Sequence, residues 1–162
     1  MNNKLSNTIL FADNMCIIVS TNNQDEFKTN INSVMYEIMN WFQSNLLTLN
    51  CNKTHFLQFL SKNKKELQIH IMTSNSIISN QNSTTFLGLS IDSKLSWKDH
   101  IAKLASKLNK ACYAIRTIKP FITFNVLRSV YFSYFHSVMS YGIIFWGNSH
   151  LSANVSEFRR EL

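Results

Sequence analysis

Phe86-Leu-Gly-Leu-Ser-Ile-Asp-Ser-Lys-Leu-Ser-Trp97 is the stretch where the chain changes its apolar period. Residues 86–91 have the short apolar run of a strand, with Gly88 allowing close backbone approach. From Trp97 onward the period is helical: Ile101, Leu104, Ala105, Leu108, Ala111, Cys112, Ile115 and Ile118 form one stripe, and Pro120 ends it. Lys103, Lys107 and Lys110 step by four and three residues on the opposite face, with Arg116 and Lys119 further down. A second helix over 124–139 is expected to bury Leu127, Val130, Tyr131, Tyr134 and Val138. Everything behind the switch therefore reads as helical.

Ahead of it the pattern is mixed. Residues 9–11 and 15–19 are short apolar strands, with Ala12-Asp13-Asn14 as the turn between them. A helix follows: Asn23 is placed to cap it, and Glu26 three residues on completes a capping box. Phe27, Ile31, Val34, Met35, Ile38 and Phe42 form its apolar stripe, which runs out near Asn45. Residues 47–49 and 55–59 read as strands around the turn 50–53. A lysine-rich loop, 61–66, precedes a strand over 67–72. Residues 73–85 read as a long hairpin connection, closed by 86–91. The fold class expected is α+β, with a strand-and-helix part over 1–92 and an all-helical part over 93–162.

Composition excludes several functions. The 162 residues contain three glycines, none clustered, so glycine-rich phosphate loops of the Walker or dinucleotide type are ruled out. Three dispersed cysteines give neither a disulfide framework nor a C-x-x-C pair, which suits a reducing, intracellular setting, cytoplasmic or nuclear. The five histidines are scattered without metal-ligand spacing. Residues 129–156 carry no charge, but Ser129, Ser133, His136, Ser137 and Ser140 form a polar stripe that a lipid environment disfavours, so no membrane association is expected. The N-terminal residues lack the apolar run of a signal peptide. The net charge of +7 is concentrated: residues 61–120 hold ten basic and three acidic residues, whereas 1–60 hold three and four. A localised basic stretch is the footprint of a polyanion binder, and also of an ordinary solvated face.

Four segments, in order, resemble the reverse transcriptases (RNA-directed DNA polymerases) of non-LTR, jockey- or LINE-like retrotransposons. Phe11-Ala-Asp-Asn14 resembles their [FY]-A-D-D box. Asn40-Trp41-Phe42, then Leu47-Thr-Leu-Asn50 and Lys53-Thr54, resemble the family's helix and N-x-x-K-T segment. The 86–97 stretch with His100-Ile101 resembles Y-L-G-[VI]-x-[LI]-D-x-x-L-x-W-x-x-H-I, and Tyr141-Gly142 with Trp146-Gly147 resembles Y-G-x-x-x-W-G. The resemblance implies a palm remnant (motifs C, D and E) followed by a thumb. It implies catalytic roles for Asp13, Asn14 and Lys53, with Asp13 holding Mg²⁺ and Lys53 beside the triphosphate. It makes Phe86, Leu87 and Gly88 the primer grip, and Lys98, Lys103, Lys107, Lys110 and Arg116 phosphate contacts. The implied partners are an RNA template, a DNA primer and deoxynucleoside triphosphates, together with an upstream fingers and palm segment.

Two departures bear on activity. Motifs A and B lie upstream of the family's D-D box, and twelve residues precede Asp13 here. Two-metal phosphoryl transfer takes carboxylates from separate strands, with ions about 4 Å apart. The second acidic position of the box is Asn14, whose amide keeps the shape and loses the charge. Asp25 and Glu26 are first-turn helix residues, favoured there by the helix dipole. The expectation is a fragment inactive as a polymerase by itself. The alternatives are a non-catalytic nucleic-acid-binding remnant, or the product of a decayed element without activity. A bare hairpin over 9–19 is also expected to expose apolar surface and an open sheet edge.

Overall fold

The computed structural model describes residues 6–12, 14–59, 67, 69, 71–72 and 77–160. Asp13 and the lysine-rich loop 61–66 lie outside the described residues. The chain forms two compact units, Met1–Gln81 and Asn82–Leu162, and the fold class is α+β as the sequence indicates. The hairpin that closes the strand pattern thus belongs with the helices, and the units part at 81/82 rather than at the 92/93 change of period.

In the first unit β1 (Ser6–Phe11) pairs antiparallel with β2 (Asn14–Val19), Phe11 opposite Asn14. Asn14 therefore belongs to the strand rather than to the turn, and Ala12, just after β1, has φ 51°. Ile9, Leu10, Phe11 and Ile18 are exposed, Leu10 and Phe11 by more than half. Helix α1 (Gln24–Ser44) is capped by Asn23, whose side chain accepts from the Asp25 N–H at 3.0 Å. Glu26 does not close a capping box. Its carboxylate accepts from the Thr21 hydroxyl, and the Asn23 N–H donates to that same hydroxyl oxygen.

The α1 stripe buries Ile31, Val34 and Ile38. Ile31 packs with Ile71 and Ile78 of a three-stranded sheet ordered β3 (His55–Phe56), β5 (Ile77–Asn80), β4 (Ile71–Met72). Residues 47–49 are not a strand, and Ile77 and Ile78, expected within a loop, begin the central one. β5 pairs parallel with β3 and antiparallel with β4, so it is enclosed on both edges and Ile78 is 3% exposed. Gln58 replaces a further strand rung: its amide donates to the Leu67 carbonyl at 2.8 Å and accepts from the Leu67 N–H at 3.1 Å. That reciprocal pair satisfies a buried side chain, which would otherwise be costly.

In the second unit β6 (Ser83–Phe86) and β7 (Leu89–Asp92) form their own antiparallel hairpin, instead of 86–91 closing on 67–72. Helix α2 (Lys98–Ile118) is the centre of the unit. Its stripe buries Ile101, Leu104, Leu108, Ala111, Cys112 and Ile115 against Phe135, Trp146 and Val155. Burying each large side chain contributes about 2–3 kcal/mol. A continuous helical run follows as α3 (Phe124–Val130), a π segment (Tyr131–His136) and α4 (Ser137–Ser140), then α5 (Ile143–Trp146) and α6 (Ala153–Arg160). The π segment adds a residue to the turn and rotates the faces beyond it. Phe135 is thereby wholly buried, and Tyr134, expected inside, is 46% exposed. The serine stripe turns inward on its own backbone, as with Ser129 Oγ to Asn125 O at 3.1 Å and Ser140 Oγ to His136 O at 2.7 Å. Among the described residues no helix is long and apolar enough to cross a membrane.

Candidate nucleic-acid interface

The β6–β7 turn is Leu87-Gly88, at φ 47° and 78°. Two positive φ values in a two-residue hairpin make a type I′ turn, which Gly88 adopts freely and Leu87 only at a cost of about 1–2 kcal/mol. Tyr141 offsets that cost. Its hydroxyl donates to the Leu87 carbonyl, and its ring lies where a Gly88 Cβ would approach to 3.3 Å. Tyr141 is itself held by the buried Trp146, whose indole N–H donates to the Tyr141 carbonyl at 2.9 Å. The tether fixes the hairpin tip while leaving Leu87 and Gly88 exposed.

The hairpin's other end is fixed by Asp92. Its carboxylate accepts from the N–H groups of Lys94, Ser96 and Trp97 at 3.0, 3.0 and 2.9 Å, and from the Ser96 hydroxyl at 3.1 Å. These bonds hold Leu95 and Trp97 in the left-handed region, at φ 52° and 61°, and set the start of α2. Burial works to raise the Asp92 pKa, but the bonds from Ser96, Lys94 and Trp97 prevail and the carboxyl ionises below its ordinary range.

Between these fixed ends, Ser90 faces α2 and is 6% exposed. Its backbone N–H donates to His100 Nδ1 at 3.4 Å, and its hydroxyl accepts from Lys103 Nζ at 3.0 Å. The His100 ring sits near Trp97 and Trp146, with centroids at 6.0 and 5.9 Å. Because Nδ1 accepts, the neutral ring carries its proton on Nε2, which is buried and has no hydrogen-bond partner among the described residues. Burial first, and then the charges of Lys107 and Lys103, lower the His100 pKa.

Lys103, Lys107 and Lys110 line one cleft of about 680 Å³ with Gly88, Ser90, His100, Ser137 and Tyr141. The sequence places these lysines on the face opposite the core. They instead flank it along the cleft, and the Lys103 head reaches the hairpin at Ser90, because long stems can lie along apolar surface while the charge stays in water. Among the described residues no carboxylate lines the cleft. Lysines three and four residues apart repel one another by a few tenths of a kcal/mol, which a bound anion would relieve. The row spans about 10 Å of helix axis, near three nucleotide steps at 3.4 Å each. Lys98 and Arg116 are not part of it: they lie on the other flank of α2, about 140° around the helix from Lys103, and neither lines the cleft.

The remaining expected residues are in the first unit. Lys53 is exposed in the turn 50–53, where its N–H donates to the Asn50 carbonyl at 3.1 Å. Asn14 is exposed at the start of β2. Neither lines that unit's cavity of about 200 Å³, which is apolar and bounded by β2, α1 and the three-stranded sheet. Asp13, expected as the Mg²⁺ ligand, lies outside the described residues. Among those described, no three His, Cys, Asp or Glu side chains come together as a metal donor set, so by themselves they do not make up a Mg²⁺ site. Ser90, which holds the Lys103 ammonium, and Tyr141, which ties down the hairpin tip, complete the cleft; local spacing does not reveal those two contacts, whereas the steps of three, four and three from His100 to Lys110 are legible. Compared with known proteins, the chain matches no family model, no curated protein and no solved structure.

Proposed function

We propose that this chain is the palm and thumb portion of a reverse transcriptase of the non-LTR retrotransposon kind, and that its own activity is to hold nucleic-acid backbone through the second unit. The observation that carries the binding is the row Lys103, Lys107 and Lys110 along one cleft whose described lining holds no carboxylate. Such cations neutralise phosphates and position a duplex without reading its sequence. The ancestry rests on the four ordered segments. The expected substrates of the intact enzyme, template, primer and deoxynucleoside triphosphates, come with it.

Synthesis by this chain alone is not expected, since Asn14 stands where the family's D-D box has a second charge. Primer extension with Mg²⁺ or Mn²⁺ should give no product, and Asn14→Asp alone should not produce any. Templated addition by either chain would overturn that part. Binding is tested with a labelled recessed RNA–DNA duplex across a salt series. Three neutralised phosphates give a slope of log K against log salt near −2.7, or about fortyfold weaker binding between 50 and 200 mM. The Lys103→Glu, Lys107→Glu, Lys110→Glu variant should lose that affinity and slope. A folded chain that does not bind, or a variant with an unchanged slope, refutes the reading.

A further inference from the structure

We propose that the cleft of the second unit captures one phosphate-type oxyanion together with one proton, Lys103 and Lys107 taking the anion and His100 the proton. The proposal rests on the nucleic-acid reading only for the source of the phosphate. Three observations join in it. Lys103 is not a free surface cation: Ser90, on the hairpin, holds its ammonium at 3.0 Å, so the charge is already positioned over the cleft. His100 lines the same cleft and is 7% exposed. Its Nδ1 accepts a long 3.4 Å bond from the Ser90 N–H, which leaves a basic nitrogen only weakly engaged.

The groups around His100 decide the direction of the linkage. From β7 it meets Ser90, which is uncharged; Asp92 on that strand is engaged by residues 94, 96 and 97. From α5 it meets Trp146. From the segment after α4 the cleft receives Tyr141, whose hydroxyl proton goes to Leu87 O. The charges that act on it are Lys107 and Lys103 of its own helix, and they oppose its protonation. An oxyanion between those lysines cancels their field, so the bound state favours imidazolium where the free state does not. The proton comes from solvent and adds to the Nδ1 lone pair, and Ser90 N–H gives up its long bond. By linkage, whatever eases protonation on binding also tightens binding as protons are added. Affinity therefore rises as pH falls from above the free pKa, itself below 6.5, into the range where the bound state is protonated.

The test uses the full chain with tetrathymidylate lacking terminal phosphates, and in parallel with inorganic sulfate; both keep their charge over the pH range used. Tetrathymidylate should bind about three- to tenfold tighter at pH 5.5 than at pH 7.5, a bound-state rise of up to one pKa unit being tenfold. Because four other histidines are present, the specific readout is the His100 imidazole resonance, which should titrate at higher pH in saturating ligand. Ser90→Ala leaves every charge in place, and should weaken binding about three- to tenfold, the size of one net hydrogen bond. Sulfate behaving likewise supports a site for any oxyanion; tetrathymidylate alone doing so supports a strand as the source. A His100 resonance unmoved by saturating ligand, or a folded Ser90→Ala chain binding as tightly as the parent, overturns the proposal. If the recessed duplex still binds in that case, the nucleic-acid reading stands without this site. Sulfate capture with no duplex binding has the reverse meaning.

Discussion

Replacing Asp92 with alanine removes the acceptor for three backbone N–H groups and one hydroxyl, all at 2.9–3.1 Å. Hydrogen bonds to a charged group are worth about 1.5–3 kcal/mol each when buried. Here the carboxylate is half-buried, so water recovers part of that loss. The left-handed backbone at Leu95 and Trp97 costs about 1–2 kcal/mol each and would lose its support. Most of that gross loss is recovered by water and by relaxation of residues 94–97, which leaves a net cost of about 2–3 kcal/mol, the upper range for a single substitution. For a unit the size of Asn82–Leu162, that corresponds to a fall in Tm of roughly 10–20 °C. Asp92→Asn should cost about half as much, because one oxygen still accepts while its NH₂ faces the Trp97 N–H. Thermal unfolding by circular dichroism gives the magnitude, and hydrogen exchange at the Ser96 and Trp97 amides gives the location. The pH dependence follows from the same bonds. The folded carboxyl ionises below its unfolded value of about 3.9, so its stabilisation is complete above that value and is lost as pH falls through the lower folded pKa. An Asp92→Ala chain within about 0.5 kcal/mol of the parent, with those amides equally protected, refutes the reasoning.

Gly142→Ala should destabilise the chain by about 1–3 kcal/mol, since φ is +64° there and the new Cβ would meet Leu89 Cδ2 at 2.7 Å; an unchanged urea midpoint refutes this. Leu108→Ala, at a wholly buried position, should cost about 3–5 kcal/mol in urea unfolding, and a loss under about 1 kcal/mol would mean α2 is not the centre of the core. Because His100 has a folded pKa below its unfolded 6.5, stability is complete above that value and declines as pH drops through it towards the folded pKa; a urea midpoint equal at pH 7.5 and 5.5 removes His100 from that role.

Where sequence reading succeeds, the signal is local and periodic. The stripe of α1 and that of α2 are legible because side chains three and four apart share a face, and the structure buries Ile31, Val34 and Ile38, then Leu104, Leu108 and Ala111. Where it fails, the deciding contact is distant. Ile77 and Ile78 sit among Ser and Asn residues that suggest a loop, and they become a central strand only because β3 and β4 supply partners. Tyr134 is expected inside because its spacing fits an ideal helix, and the π segment rotates Phe135 into that place. The same limit governs the interface. The row from His100 to Lys110 is written at helical spacing, but Ser90 meets Lys103 across thirteen residues and Tyr141 meets Leu87 across fifty-four. No local pattern encodes those pairs.

The stretch that carries the family resemblance and the lysines proposed to carry the binding are different residues. Gly88 supplies a positive-φ turn, Asp92 engages four donors at the head of α2, and Tyr141 and Trp146 tie the hairpin tip to the helices. Each of these is occupied by folding, which explains how so long a signature can be read without naming a chemical step. Lys103, Lys107 and Lys110 lie beyond that signature, on the helix it positions. Ancestry and function are therefore separable by experiment. Asp92→Ala should lower stability, and after correction for the unfolded fraction leave the salt slope of duplex binding near about −2.7. The triple lysine-to-glutamate variant should do the opposite, folding as the parent and losing the slope. If instead the slope falls with Asp92→Ala in a chain still folded, hairpin and helix grip the backbone as one body, and the signature itself belongs to the interface.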